Sequence, residues 1–137
     1  MSAEAGQESR VVAKSRAQVP LRFLPLPTSS LHIMLALRDG GRHGYAIMRQ
    51  VEEDSGGAVR LGPGTLYGSI KRLLAEGLVE ESDERPDPEL DDQRRRYYRL
   101  TGLGERVCAA EVERLRVLVE RATRSRVSSL RSRPQEA

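Results

Sequence analysis

The run Gly62 to Val79, GPGTLYGSIKRLLAEGLV, constrains this chain more than any other stretch. Leu66, Ile70, Leu73 and Leu74 recur at helical spacing and Gly77 follows, which predicts a short helix with one buried stripe and a left-handed glycine stop. At roughly 100° per residue the opposite face carries Gly64, Gly68, Lys71, Arg72 and Ala75, with Thr65 and Ser69 on one flank and Tyr67 on the other. Each glycine in a helix interior costs about 1 kcal/mol relative to alanine, so close approach of the backbone to a partner is the compensation to look for. A small, polar, basic helical surface suits a DNA groove.

Two further helices precede it. Thr28 to Ser30 supplies an N-cap for an apolar helix through Leu31, Ile33, Met34, Leu35 and Leu37, ending at Asp39-Gly40-Gly41. His43-Gly44-Tyr45 opens a second, running to about Asp54 with Ile47, Met48 and Val51 as its stripe and Ser55-Gly56-Gly57 as its end. After a short extended segment, Ala58 to Leu61, comes the Gly62 run. Three short helices with glycine-marked turns read as a helix-turn-helix unit in which the second props the third into a major groove. Tyr45 either offers its hydroxyl to a phosphate or serves as a half-buried packing aromatic. His43 reads as a turn or capping histidine.

Downstream, Leu78 to Glu81 alternates as a strand and Arg96 to Leu100 as a clearer one, separated by the charged, proline-bearing SDERPDPELDDQRR. This is a hairpin with a long loop, the wing of a winged helix. Alternation puts Tyr97 and Tyr98 on opposite faces, one packed inward and one at the rim. Arg94, Arg95 and Arg96 are the densest positive charge; they either grip phosphates or neutralise the acidic loop before them. Thr101 then caps a last helix with Glu105 in its first turn. Cys108, Val112, Leu115, Val119 and Ala122 follow in it at heptad-like spacing. A helix of ~20 residues is too long for so small a domain to cover, which predicts a two-fold dimer over these five residues. The competing reading folds the helix back on its own domain.

The predicted organisation is therefore mostly α. Residues 1–27 form a disordered arm, 28–100 a winged helix-turn-helix with a two-stranded wing, 101–125 a long C-terminal dimerisation helix, and 126–137 a disordered basic tail. With 23 basic and 20 acidic residues the net charge is only +3, so the placement of charge matters more than its sum. One cysteine excludes an internal disulfide and a Cys-rich zinc site, and no apolar run reaches the length of a membrane span. A cytoplasmic protein without cofactor or metal is expected. No phosphate-cradling glycine loop, metal constellation or nucleophile paired with a base is present, which argues against an enzyme.

The succession HGYAI (His43 to Ile47), GTLYGSIKRL (Gly64 to Leu73), EGLV (Glu76 to Val79) and RRRYYRLTGLG (Arg94 to Gly104), followed by a long terminal helix, resembles the PadR family of bacterial transcriptional regulators over roughly residues 28 to 124. The resemblance implies a winged-helix repressor that dimerises through its terminal helix and binds a pseudo-palindromic operator in double-stranded DNA. By the same resemblance, the DNA-contacting positions are Tyr45, Thr65, Tyr67, Ser69, Lys71 and Arg72, with Arg94, Arg95 and Arg96 from the wing. Some relatives bind planar drugs or phenolic acids at the dimer interface through aromatic side chains. This chain has no tryptophan and no aromatic in its last helix, so no particular ligand is carried over. A small-molecule effector would act by changing the separation of the two recognition helices. The alternative reading is a winged-helix protein-interaction module, whose binding to duplex DNA would lack a steep salt dependence.

Overall fold

The computed structural model describes residues 19–82 and 96–125. The expectations placed on residues 1–18, on the acidic loop with Arg94 and Arg95, and on the tail lie outside the described residues. A 3-10 turn, Val19–Phe23, precedes seven elements: α1 (Thr28–Ala36), β1 (Arg42–His43), α2 (Gly44–Asp54), α3 (Pro63–Ala75), β2 (Val79–Ser82), β3 (Tyr97–Leu100) and α4 (Gly102–Thr123).

Helices α1, α2 and α3 enclose a core of Ile33, Met34, Ile47, Val51, Leu66, Ile70 and Leu73, all essentially inaccessible to solvent. Burying each such side chain stabilises the fold by roughly 1.5–3 kcal/mol. The helix ends follow local rules. Gly77 has φ +73°, the Gly77 N–H donates to Leu74 O at 3.1 Å, and the Leu78 N–H donates to Leu73 O at 2.9 Å, which is a Schellman stop. Gly56 ends α2 in the same way, at φ +61° with the Gly57 N–H bonded to Glu52 O at 2.8 Å. His43 is the N-cap of α2, its Nδ1 accepting from the Ala46 N–H at 3.2 Å.

The start of α1 departs from expectation. Pro27, at φ −55° and ψ 145°, occupies the N-cap position without a side-chain bond, and Thr28 is already helical. The serines serve tertiary packing instead: Ser30 is buried, and the Ser29 and Ser69 hydroxyls lie 3.2 Å apart, joining α1 to α3.

The wing has three strands where two were expected. They form an antiparallel sheet in the order β1-β3-β2, with Arg42 opposite Tyr98 and Val79 opposite Leu100. A two-residue strand is too short to show alternation, which is why β1 escapes sequence reading. Its presence makes β3 central, so both tyrosines are buried and neither is at a rim. Tyr98 joins the core, and Tyr97 meets the His43 ring edge-on at 5.5 Å between centroids.

The arm also differs from expectation over its last residues. Pro20 is buried, while Phe23, Leu24 and Leu26 pack against the core. The Leu26 N–H donates to Glu111 Oε2 at 2.6 Å, and the Arg114 guanidinium donates to the other carboxylate oxygen. Glu111 is only 1% exposed. Segment 19–27 is thus fastened to α4, because a buried carboxylate requires donors and the arm's backbone provides one.

Candidate nucleic-acid interface

Helix α3 buries Leu66, Ile70 and Leu73 and leaves Gly64, Thr65, Gly68, Lys71, Arg72 and Ala75 exposed. A Cβ added at Gly64 or Gly68 would meet nothing within 4 Å, so the chain's own packing does not require either glycine. Tyr67 is 50% exposed, with its ring reaching across to the first residue of α2. A Cβ at Gly44 would stand 2.5 Å from the Tyr67 hydroxyl oxygen, so the tyrosine packs directly on the backbone of the glycine in HGY. Ser69 is only half-exposed, and its hydroxyl faces Ser29.

Beside this face, Tyr45 at the start of α2 is 59% exposed. The His43 ring stacks near it at 6.4 Å between centroids, and the Arg49 guanidinium carbon lies 6.0 Å from its ring centroid. Tyr45, Thr65, Tyr67, Lys71 and Arg72 therefore share one surface built from the start of α2 and the free side of α3. Arg96 is exposed at the head of β3 and pairs with Glu81 across the sheet at 3.2 Å, while Arg99 pairs with Glu80 at 2.8 Å. Among the described residues, Lys71 and Arg72 make no ion pair.

This surface is joined to the terminal helix through Thr101, whose capping of α4 was expected and whose bonds to Gly77 and Leu78 were not. Thr101 Oγ1 donates to Gly77 O at 2.6 Å and accepts the Gly104 N–H at 2.9 Å, and the Thr101 N–H donates to Leu78 O at 3.1 Å. A Cβ on Gly104 would lie 1.9 Å from Leu78 O. The end of α3 is thereby fastened to the start of α4. The glycines of EGLV and TGLG were the available signal.

The expected pairing residues divide. Cys108 is 7% exposed and belongs to the domain's core with Val107; burial pushes its thiol pKa up. Its place in a dimer seam is corrected: the first half of α4 folds onto its own domain, where Gly104, Val107, Cys108 and Glu111 are buried. Farther along, Val112 and Val119 are exposed and Leu115 and Ala122 half-exposed. Among the described residues no cluster of His, Cys, Asp or Glu could hold a metal, and no helix is long and apolar enough to cross a membrane.

Three helices with α3 displayed, a small sheet beside them and a long closing helix define a winged helix-turn-helix protein. The chain belongs to the PadR-like family of transcriptional regulators, which its residues 33–110 match. A PadR family transcription regulator from Clostridium difficile R20291 superposes with TM-score 0.59 at 24% identity, covering 72% of this chain and 97% of that one. RosR of H. salinarum superposes with TM-score 0.53 at 28% identity, over 79% of this chain and 92% of that one. A protein of 37.1 kDa in transposon TN4556 of Streptomyces fradiae is 38% identical over 95 residues, 69% of this chain. The chain spans 25% of that relative's length.

Proposed function

We propose that the protein is a dimeric transcriptional repressor that binds a pseudo-palindromic operator in duplex DNA through α3. The observation that carries this reading is the free side of α3, where Lys71 and Arg72 make no ion pair among the described residues and a Cβ at Gly64 or Gly68 would meet nothing within 4 Å. Lys71 and Tyr67 hold phosphates, Arg72 and Thr65 reach base edges near the groove, and Tyr45 adds a phosphate contact from α2. Ser69 serves through its link to Ser29, and Arg94, Arg95 and Arg96 are assigned phosphate contacts.

Pairing through the second half of α4 supports the two-fold arrangement. Leu115, Leu118 and Ala122 continue the same helix face that Val107, Cys108 and Glu111 bury inside the domain, so an apolar face emerges uncovered where the domain ends. A groove of ≈ 500 Å³ between the arm and α4, lined by Leu21, Leu24, Ala110, Val117 and Leu118 among others, adds apolar surface to it. A second copy covers these residues and sets two α3 helices about 34 Å apart, one turn of DNA. An effector that altered this pairing would release the operator.

The test is fluorescence anisotropy with a labelled duplex from the sequence upstream of the protein's own gene, against a scrambled duplex of equal length. Preference for the first, with affinity falling steeply between about 50 and 200 mM salt, is expected. Equal, weak binding to both duplexes would refute operator recognition.

A further inference from the structure

The described basic side chains fall into two groups. Arg38, Arg60, Arg96, Arg99, Arg114, Arg116 and Arg124 each lie against a carboxylate. Lys71, Arg72 and Arg49 of the α2–α3 surface make no such pair among the described residues, and neither do Arg22, Arg42, Arg106 and Arg121, but only the first three stand together beside the free side of α3. Arg49 is exposed, one turn after Tyr45, with its guanidinium against the Tyr45 ring. Such a cation–π contact holds the planar group in place while leaving its edge N–H groups able to donate. Arg49 also borders a small hollow of ≈ 210 Å³ with Arg42, Ala46, Gln50 and Glu53. Arg42 already donates Nε–H to Ala36 O at 2.9 Å, which fixes its stem, so the hollow presents two guanidinium groups against one carboxylate.

The strip Tyr67, Tyr45, Arg49 is continuous, because Tyr67 abuts Gly44 and Arg49 lies over Tyr45. An aromatic and cationic strip of this kind, beside a helix side left free of its own chain, fits a sugar-phosphate backbone and carries no base code. We propose that Arg49 is a DNA phosphate-binding residue, positioned by Tyr45, so that α2 grips the backbone flanking the groove that α3 enters. This inference rests on the DNA-binding reading above and adds to it a charged contact from α2, beside the one assigned to Tyr45.

The experiment is the same anisotropy titration on the full chain, with upstream and scrambled duplexes from 50 to 200 mM salt. For Arg49→Ala the slope of log K against log salt becomes shallower by about 0.9, and affinity for both duplexes falls by a common factor of roughly ten. Arg49→Lys retains the slope. Arg49→Gln, which keeps a polar stem without charge, reproduces the alanine result and guards against an effect of lost packing. An unchanged slope and affinity in both neutral variants overturns the proposal. So does a loss confined to the upstream duplex, which would make Arg49 a base reader. Wild-type protein that binds neither duplex refutes the DNA-binding reading itself, a result distinct from either.

Discussion

Two glycines that look alike in sequence have opposite work. Gly104 sits against the backbone of Leu78, where a Cβ would be 1.9 Å from a carbonyl oxygen that cannot swing away. Gly104→Ala should therefore destabilise the fold by about 3 kcal/mol, the upper end for overpacking, as a lowered urea midpoint will reveal. Gly68 faces open space on α3. Gly68→Ala should stabilise the fold by up to about 1 kcal/mol through helix propensity while weakening duplex binding, since the added methyl stands between backbone and groove. A more stable variant with undiminished DNA affinity would show that no partner approaches that side of the helix.

At the scale of elements, one buried carboxylate joins the arm to α4 alongside the apolar packing of Phe23, Leu24 and Leu26. The Arg114 guanidinium beside Glu111 holds its carboxyl below the usual carboxylate range, helped by the Leu26 N–H and opposed by burial. A depressed carboxylate pKa stabilises the folded state above the unfolded value, and that contribution is lost as pH falls through the folded pKa. Arm docking should accordingly weaken on acidification below about pH 4, the ordinary glutamate range. Glu111→Gln should lower the melting temperature at pH 7 and flatten its fall between pH 7 and pH 3. The residual slope belongs to groups such as Asp54, which Arg38 similarly depresses through bonds of 2.8 and 3.2 Å. A melting temperature for Glu111→Gln that tracks wild type at every pH would show that the arm gains nothing from this carboxylate.

For the whole molecule, the question is what covers the outer half of α4. Val119 is 64% exposed, so Val119→Asp costs the single chain little. Sedimentation equilibrium at micromolar concentration should nevertheless return a monomer for the variant and a dimer for wild type, with unchanged circular dichroism. A dimer that persists in the variant would place the two-fold contact elsewhere. In the proposed dimer, the linkage from α3 through Gly77, Thr101 and Gly104 to α4 would let the pairing geometry set the α3–α3 spacing, so the monomer should also lose operator preference while keeping weaker, salt-sensitive affinity for any duplex.

What the sequence determined by itself were features governed by near neighbours: the helical stripes of α2 and α3, the Gly77 stop, the His43 and Thr101 caps, and the basic free side of α3. Each depends on residues within about a turn, where spacing and side-chain chemistry suffice. Only the tertiary structure decided the rest. β1 pairs with a strand more than fifty positions away, and this buries both Tyr97 and Tyr98. Glu111 draws in an arm 85 positions upstream that composition alone made look unstructured. Cys108, written into the same heptad pattern as Val119, went to the domain core because α4 is half inside the domain and half beyond it. Periodicity shows that a face is apolar; what covers that face depends on contacts between distant segments, and those are set by packing in three dimensions.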